Sequence, residues 1–398
     1  MKIIIRNCNV AELDIPLKYA TKLYNEFAIR HPNAFYLRTR QRGMQNWDGK
    51  IKYITKTGQF KIGLLPSVYK RCIELGIKPI IVDMRQPLPK VSKVVTQIGK
   101  YKLRPEQEKA VKAILSNKLG ETPFQIGVLD YTVNAGKTLI MSALYLSYKK
   151  QLKTLLITND SDWLNQARDE FKQYLPGEDI TFVQGKVLNW SNFTIGMVQS
   201  ISRNMKYYQN ELAKIDMVLI DEADQGGSKQ YQNVITRLFN TRVRIGLSGT
   251  IYMSKLAKDK VKNMNLRCFF GDVIAEFKLK DSIKKGYSTK TIVKTVEGKP
   301  WFGNWESDCM SYNEIYDDSI THNKIAWTMA LDRLKWNLNQ GRYPALVVCK
   351  HIAHCENLCK FFKKKLDNKY NIACVHVNTH TKLRQQIMKD FREGKIDI

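Results

Sequence analysis

Between residues 124 and 247 the chain repeats one pattern five times: a short, almost wholly apolar run is followed by a longer amphipathic stretch. Strands that are apolar along their whole length are typical of a parallel sheet covered by helices on both faces. The pattern therefore predicts an α/β fold with functional residues in loops at the carboxyl ends of the strands. The runs are Phe124 to Leu129, Thr154 to Thr158, Phe193 to Val198, Met217 to Ile220 and Arg244 to Leu247.

The first run leads into Gly136, Lys137 and Thr138, which precede an apolar helical stretch. The start of a helix presents unpaired N–H groups and the positive end of its dipole to phosphate. We expect Lys137 to reach the β- and γ-phosphates of a nucleotide and Thr138 to offer its hydroxyl to Mg²⁺. The full phosphate-loop motif has glycine where this chain has Tyr131, so the motif alone also fits an ordinary helix start.

The fourth run ends in adjacent carboxylates, Asp221 and Glu222, followed by Ala223 and Asp224. A carboxylate at the end of a buried strand can hold Mg²⁺, and a second one can polarise the attacking water. We assign the metal to Asp221 and the water to Glu222. An acidic helix N-terminus would also explain these residues. Because Lys137 follows a run of the same kind, the two motifs together predict a site for ATP and Mg²⁺.

The composition is strongly basic. The chain has 398 residues, with 65 Lys+Arg against 37 Asp+Glu, a net charge of +28. Lysine and arginine side chains that neutralise phosphates release counterions, so this excess favours a nucleic acid partner over a merely soluble basic protein. Hydrophobic residues make up 43% of the chain, which argues against extensive disorder. The length predicts two or three domains.

No apolar run is long enough to cross a membrane, and the apolar start of the chain is too short for a signal peptide. The eight cysteines lack paired Cys-x-x-Cys spacing, which fits free thiols in a reducing cytoplasm, that of a host cell if the protein is phage-encoded. His351 and Cys355 lie four residues apart and could share a metal. Because no ligand pair has zinc-finger spacing, we favour an ordinary strand and helix there.

Residues 1–95 predict a small, basic α+β domain. They contain 18 Lys+Arg against 6 Asp+Glu, a net of +12, which is nearly half of the excess charge. Strands are predicted at Ile3 to Val10 and Ile51 to Ile54, and helices at Pro16 to Ile29 and Pro66 to Leu75. The stretch Gln86 to Lys90 contains two prolines and is interpreted as a linker.

Three arginines in this domain, Arg38, Arg40 and Arg42, occupy alternate positions and would share one face of a strand. Trp47 and Lys50 follow closely. A basic face with aromatic rings suits phosphate contact and base stacking, so all five residues are candidates for contact with DNA. The aromatic residues of a small domain can equally form its core, and Phe60, further along, fits the core better.

A basic connector begins near residue 276 and leads to a second alternating unit, so the predicted domains are 1–95, 96–275 and 276–398. The unit has too few strand–helix pairs to close a sheet domain of normal size, and we expect it to be an incomplete second sheet domain. Its predicted elements are a strand at Ala345 to Cys349, a helix at Ala353 to Leu366, a strand at Ile372 to Val377 and a helix at Lys382 to Glu393.

As a set, four blocks of the sequence resemble the superfamily 2 helicases and translocases: Tyr101 to Gln107, Val133 to Thr138, Asp221 to Asp224 and Ser248 to Thr250. The resemblance implies tandem RecA-like motor domains that bind ATP between them. It also implies that Gln107 reads adenine and that hydrolysis is coupled to strand movement through Ser248, Gly249 and Thr250. The remaining nucleotide-binding candidates are Arg104, Asn134, Ala135 and Gly136.

The same resemblance implies strand-contacting residues in both motor domains: Asn159, Gln199 and Ser200 in the first, and Lys350, His351, Asn378 and Thr379 in the second. The segment Asn46 to Lys50 before Leu64 to Pro66, together with Val348 to His354, looks similar to the bacteriophage UvsW-type helicases. That similarity implies a DNA helicase for forks, Holliday junctions, D-loops and R-loops, with a DNA-binding N-terminal domain. We expect a monomer.

Three alternatives remain open: a double-strand translocase or restriction-type motor, an RNA helicase, and a non-catalytic nucleic-acid-binding protein. The sequence Asp-Glu-Ala-Asp favours an RNA helicase. The dedicated RNA helicases, however, usually have Ser-Ala-Thr where this chain has Ser248, Gly249 and Thr250. The family's last blocks, which carry an arginine finger, would lie beyond Ile398. Such an arginine is worth about 10³-fold or more in phosphoryl transfer, so we expect a chain ending there to bind DNA but hydrolyse ATP poorly.

Overall fold

The structure is a computed structural model that describes residues 1–41, 43–184, 190–252, 257–295, 311–367 and 369–398. It divides into two compact units, Met1–Lys290 and Thr291–Ile398. None of the helices within the described residues is both long enough and apolar enough to cross a membrane.

The strands of the described residues, in chain order, are β1 (Lys2–Ile5), β2 (Val10–Asp14), β3 (Ala28–Arg30), β4 (Lys50–Lys52), β5 (Gln59–Lys61), β6 (Ile80–Asp83), β7 (Gln97–Ile98), β8 (Tyr101–Lys102), β9 (Lys118–Leu119), β10 (Thr122–Pro123), β11 (Ile126–Tyr131), β12 (Thr154–Thr158), β13 (Ile180–Val183), β14 (Phe193–Met197), β15 (Met217–Asp221), β16 (Val243–Ser248) and β17 (Val273–Phe277).

The α-helices are α1 (Leu17–Glu26), α2 (Ala34–Arg40), α3 (Leu65–Glu74), α4 (Pro105–Leu115), α5 (Lys137–Ser147), α6 (Ser161–Tyr174), α7 (Val198–Arg203), α8 (Met205–Leu212), α9 (Lys229–Ile235), α10 (Ala257–Phe270), α11 (Leu279–Lys284), α12 (Tyr312–Tyr316), α13 (Lys324–Asn339), α14 (Ile352–Lys365) and α15 (Thr381–Arg392). Short 3₁₀ turns occupy Ile62–Leu64 and Ala223–Gln225, and a π-helical turn occupies Asp317–Thr321.

A seven-stranded sheet organises the first unit, in the order β13-β14-β12-β15-β16-β11-β17. Every pairing in it is parallel, which confirms the α/β prediction. The five predicted strands are present with ends within two residues of their expected positions. Strands β13 and β17 were not predicted because they are the sheet's two edges and are only partly buried, so they lack a continuous apolar run.

The N-terminal segment builds a second sheet, in the order β5-β2-β1-β6. The predicted single strand from Ile3 to Val10 is wrong, because the chain turns at Asn7 and returns antiparallel. The Asn7 side chain accepts hydrogen bonds from the N–H groups of Asn9 (2.8 Å) and Val10 (3.0 Å), and this local turn competes with an extended backbone. The predicted helix to Ile29 is also too long, because it ends at Glu26 and β3 follows.

The expected strand bearing alternate arginines is wrong as well. Arg38 and Arg40 lie in the last turn of α2, and Arg42 lies outside the described residues. Residues two apart on a helix point in nearly opposite directions, so Arg38 and Arg40 do not share one face. The helix follows Pro32 and Asn33, residues that favour a turn and a helix start over a continued strand.

The N-terminal sheet and the seven-stranded sheet share one hydrophobic core, which includes Ile3 and Phe60 from the first and Ile126 and Val218 from the second. Backbones also approach closely: a Cβ atom on Gly63 would lie 2.2 Å from the carbonyl oxygen of Arg267. Residues 1–290 therefore form one compact body, and a domain boundary near residue 95 stays a prediction.

The second unit is helical in the described residues, and the two helices predicted there are confirmed as α14 and α15. The predicted strands at Ala345 to Cys349 and Ile372 to Val377 are wrong, because neither segment forms a strand. Both segments instead make separate backbone hydrogen bonds to the chain's last residues. The Ala345 N–H donates to the Asp397 carbonyl (2.7 Å), and the Ala373 N–H donates to the Ile398 carbonyl (3.0 Å). Val348 is 83% exposed, although buried strands need neighbours on both sides.

Candidate functional site

The phosphate-loop candidates lie between β11 and α5, at the carboxyl edge of the seven-stranded sheet. Gly136 immediately precedes α5 with φ of +73°, a left-handed conformation that glycine adopts without strain. A Cβ atom there would lie 2.2 Å from Nε2 of Gln107. Both constraints favour glycine at this position, and Lys137 and Thr138 follow it as the first residues of α5.

The adenine-reading candidate Gln107 is buried and touches the phosphate loop directly. Its Nε2 donates to the carbonyl of Ala135 (2.9 Å), and its Oε1 accepts from the N–H of Arg104 (2.8 Å). The Arg104 guanidinium donates to the carbonyl of Asn134 (3.4 Å). Four of the predicted nucleotide-binding residues therefore form one hydrogen-bonded group, in which Gln107 joins the block around Arg104 to the phosphate loop.

Tyr131, which stands in place of a phosphate-loop glycine, does not enter the loop's interior. Its ring is fully buried, and its hydroxyl donates to the carbonyl of Glu106 (2.8 Å) at the start of α4. The side chain points away from the loop and helps to fix the helix that carries Gln107. The departure from the motif is therefore compatible with phosphate binding.

Asp221 ends β15, two strands across the sheet from β11, and Glu222 follows it with φ of +53°. This left-handed turn breaks the strand alternation that would point the two carboxylates to opposite sides. Burial raises the pKa of both carboxyls, and the nearby Lys137 ammonium opposes that shift. Lys137 is therefore electrostatically coupled to both acids, as an ATP site requires.

The coupling candidates lie between these two motifs. The Ser248 hydroxyl lies 3.0 Å from Asp224 Oδ1 and accepts a hydrogen bond from the Thr250 N–H (3.2 Å). A Cβ atom on Gly249 would lie 3.2 Å from the carbonyl oxygen of Tyr131, so this loop packs against the start of the phosphate loop. Movement of the Ser248–Thr250 loop would therefore displace groups at both Asp224 and the start of the phosphate loop.

The strand-contact candidates of the first unit lie further along the same edge. Asn159 follows β12, and Gln199 and Ser200 belong to the first turn of α7 after β14. The Gln199 side chain donates to the Asn159 carbonyl (3.2 Å), which joins the two loops. The nucleotide and strand-contact candidates thus occupy different stretches of one sheet edge.

In the N-terminal sheet region, Trp47 is half-buried and Lys50 is exposed. The indole N–H of Trp47 donates to the Lys50 carbonyl (3.0 Å), so this tryptophan supports the local loop as well as partly facing solvent. Arg38 and Arg40 are exposed.

The four candidates of the second unit are considered within that unit alone. The Lys350 ammonium lies 4.1 Å from the centroid of Tyr312 and 3.1 Å from the Asn313 side-chain oxygen. The His351 ring stacks on Tyr316 with 4.9 Å between centroids. Asn378 is exposed, and the Thr379 hydroxyl accepts a hydrogen bond from the His376 N–H (3.0 Å).

The oxygen ligands proposed for Mg²⁺ are the Thr138 hydroxyl and the Asp221 carboxylate, a donor set that suits this hard cation. The histidine and cysteine group near the end contains Cys355 and Cys374, whose sulfur atoms lie 3.2 Å apart. In the parts of the chain that the structure describes, no group of three or more His, Cys, Asp or Glu side chains is arranged to hold a metal.

Sequence reasoning missed two contacts at the start of α4, where the residues predicted to bind adenine lie. Lys285 donates to Glu106 Oε2 (2.7 Å), and the Arg104 guanidinium lies 4.3 Å from the ring centroid of Tyr287. Both partners come from the segment after α11, far along the chain. The sequence shows Tyr287 and the adjacent lysines Lys284 and Lys285, but nothing in it identifies the residues that they contact.

Two family models match the chain. Residues 100–253 match the type III restriction enzyme res subunit, and residues 328–398 match the helicase conserved C-terminal domain. The ATP-dependent DNA helicase uvsW of Enterobacteria phage T4 is 23% identical over 378 residues, which cover 88% of this chain and 70% of that protein. A putative ATP-dependent RNA helicase, L396 of Acanthamoeba polyphaga mimivirus, is 26% identical over 147 residues, covering 37% of this chain and 27% of that protein.

The fold has solved counterparts. The crystal structure of T4 UvsW aligns with a TM-score of 0.54 and 20% identity, over 99% of this chain and 78% of that one. At this level of identity the comparison establishes the shared architecture.

Proposed function

Because this chain is an ATP-hydrolysing helicase of superfamily 2 and a homologue of the UvsW helicase, we propose that it unwinds and remodels branched DNA. Forks, Holliday junctions, D-loops and R-loops are the proposed substrates, and the cytoplasm of a host cell is the proposed setting. The observation that carries the proposal is the placement of Lys137, Asp221 and Glu222 after parallel strands at one sheet edge, beside the separate loops of the strand-contact candidates.

Each residue of the site has a proposed role. Gln107 and Arg104 recognise adenine, while Lys137 and the N–H groups at the start of α5 bind the phosphates. Thr138 and Asp221 would hold Mg²⁺, which neutralises charge on the phosphates when it is bound. Glu222 orients and polarises the attacking water.

The same geometry would couple ATP hydrolysis to movement along the DNA strand. Ser248 contacts both Asp224 and Thr250, so a change at Asp224 on hydrolysis would be transmitted to the Ser248–Thr250 loop, which packs against the start of the phosphate loop. The basic region of residues 1–95 would hold duplex or junction DNA, and a monomer is the proposed active form.

The test is a Lys137→Ala substitution in the native protein, assayed on a synthetic DNA fork. ATP hydrolysis and unwinding should each fall by about 100-fold or more, because a preorganised phosphate-binding charge is removed. Fork binding without nucleotide should stay within about threefold, since Lys137 is not among the strand-contact residues. Lys109→Ala, at an exposed position of α4, is the matched control. Unwinding that survives Lys137→Ala would refute the site assignment.

A second candidate is a double-strand translocase that pumps DNA without separating strands, and the restriction-subunit match over residues 100–253 favours it. Displacement of a triplex-forming strand without displacement of a fork strand would support this alternative.

An RNA helicase is the third candidate, on the similarity to the mimivirus protein. Forks of matched sequence in DNA and RNA would separate the two substrates.

A further inference from the structure

Residues 28–52 form a ribbon that carries a short helix at its end. Strands β3 and β4 pair antiparallel, with Arg30 opposite Lys50, and α2 lies in the connection between them. We call residues 28–52, of which residue 42 is not described, the basic ribbon. It contains six Lys or Arg against one carboxylate, Asp48.

Helix α2 turns two aromatic rings to solvent. Phe35 is 80% exposed and Tyr36 is 54% exposed, while Ala34 is the buried residue of the helix. Single exposed apolar residues are common on protein surfaces, but two adjacent large rings on one short helix are a specific surface feature. Neither ring is a member of the hydrophobic core clusters of the described residues.

Several positive charges of the basic ribbon are available to a partner. The Arg40 guanidinium lies 5.0 Å from the Tyr36 ring centroid, so cation and ring are presented together. Asp48 pairs with Lys52 at 3.2 Å. Among the described residues, Arg30, Arg38 and Lys50 form no ion pair with a carboxylate. The surface therefore combines exposed rings with uncompensated positive charge.

The base of the ribbon is rigidly supported. The His31 N–H donates to the Gly49 carbonyl (2.8 Å), and Gly49 has a left-handed φ of +75°. The His31 and Trp47 rings meet edge to face with 5.9 Å between centroids. A supported base lowers the entropy lost when a ligand binds the exposed rings.

We propose that Phe35 and Tyr36 stack on unpaired bases where the two strands of a DNA fork part, while Arg30, Arg38 and Lys50 contact the flanking phosphates. Every base offers an aromatic face, so this recognition tolerates any sequence. An intact duplex conceals those faces, so the basic ribbon discriminates a fork from a blunt duplex. The inference rests on the proposed action on branched DNA, to which it adds a residue-level recognition element.

The test compares the double variant Phe35→Ala/Tyr36→Ala with the native protein, without nucleotide, on a fork with unpaired arms and on a blunt duplex of the same sequence. Stacking of each base contributes enough that fork affinity should fall by about 10- to 100-fold. Duplex affinity should change by less than about threefold, because phosphate contacts remain. Leu17→Ala is the matched control, since Leu17 is 75% exposed in the same region and lies outside the ribbon.

A 2-aminopurine base at the fork junction gives an independent readout. Its fluorescence should be quenched by the native protein and by the ring-preserving variant Phe35→Trp/Tyr36→Trp, but not by the alanine variant. Equal losses on fork and duplex, or no loss on either, would overturn the proposal.

The two proposals can fail separately. If the native protein binds forks through these rings but does not unwind them, the proposed function fails and this inference stands. If the native protein unwinds forks and the alanine variant binds them with unchanged affinity, the proposed function stands and this inference fails.

Discussion

At the scale of single residues, the three carboxylates of the segment Asp221 to Asp224, here called the acidic quartet, influence one another electrostatically. Burial is the largest cause that raises the pKa of Glu222, and the carboxylates of Asp221 and Asp224 raise it further. Lys137 acts in the opposite direction. In its proposed role Glu222 must be ionised to polarise water, so we expect its raised pKa to place the acid limit of hydrolysis above the range of an ordinary glutamate.

Asp224→Asn should therefore shift the pH dependence of ATP hydrolysis. Removal of this negative neighbour lowers the pKa of both Glu222 and Asp221, so more of each is ionised at low pH. The acid limb of kcat/KM, which reports on the free enzyme, should move to lower pH even if the maximal rate falls. Asparagine keeps an oxygen that can accept from Ser248.

The matched control for this charge change is Glu108→Gln, which removes one carboxylate from α4 outside the quartet. Its acid limb should coincide with that of the native protein. A limb for Asp224→Asn that stays in place or moves to higher pH would contradict the proposed electrostatic coupling.

The placement of the central candidate residues at one sheet edge was predictable for a physical reason. Lys137 and Asp221 each follow an apolar run, and parallel strands bring their carboxyl ends to one edge. The Lys285–Glu106 contact was not predictable, because it joins residues 179 positions apart and no local periodicity encodes such a pair. The left-handed turn at Glu222 was not predictable either, since non-glycine residues rarely adopt that conformation.

At the scale of elements, the segment after α11 is attached to the start of α4. Tyr287 lies against the Arg104 guanidinium, and Arg104 in turn contacts the phosphate loop at Asn134. One face of the guanidinium is thus occupied by protein, and its orientation depends on the ring. This arrangement links the segment that follows the seven-stranded sheet to the residues proposed to bind adenine.

Tyr287→Ala should raise the KM for ATP by about 2- to 5-fold, the range of a partly exposed cation–π contact, with a smaller change in kcat. The loss acts through the orientation of Arg104, so it affects binding of the base more than the reacting phosphate. Tyr287→Phe, which keeps the ring, should match the native protein in steady-state ATPase measurements. A variant in which kcat falls and KM does not change would show that the ring has another role.

The elements also divide into predictable and unpredictable classes. Central strands such as β12 were predicted to the residue because both of their faces are buried and they are apolar throughout. Helix α2 was mistaken for a strand because its alternate arginines match a period of two, whereas the turn residues before it set a helix. In the second unit, apolar runs alone did not produce strands, because strand formation depends on a hydrogen-bonded neighbour.

At the scale of the whole molecule, the basic N-terminal sheet is part of the first motor body. Arg244 of β16 is fully buried and donates to the Cys8 carbonyl (2.8 Å) and to the Asn9 side-chain oxygen (2.9 Å). Burial lowers the pKa of this guanidinium to about 10, so the group remains charged at neutral pH. A buried charge that loses its acceptors is strongly destabilising.

Residues 1–290 should therefore unfold as one cooperative body, and a fragment of residues 96–290 should fail to fold stably. The shorter fragment loses Ile3 and Leu64 from the shared core and leaves Arg244 without its Asn9 and Cys8 acceptors.

The measurement is a denaturant titration of the 1–290 fragment, followed by the fluorescence of Trp47 and of Trp163, each kept as the single tryptophan. Both tryptophans should report the same midpoint. Asn9→Ala should lower that midpoint, with a loss of about 1–3 kcal/mol, because it removes one acceptor of a buried charge. Separate midpoints for the two tryptophans, or a monomeric 96–290 fragment as stable as the longer one, would show that the N-terminal sheet is an independent domain after all.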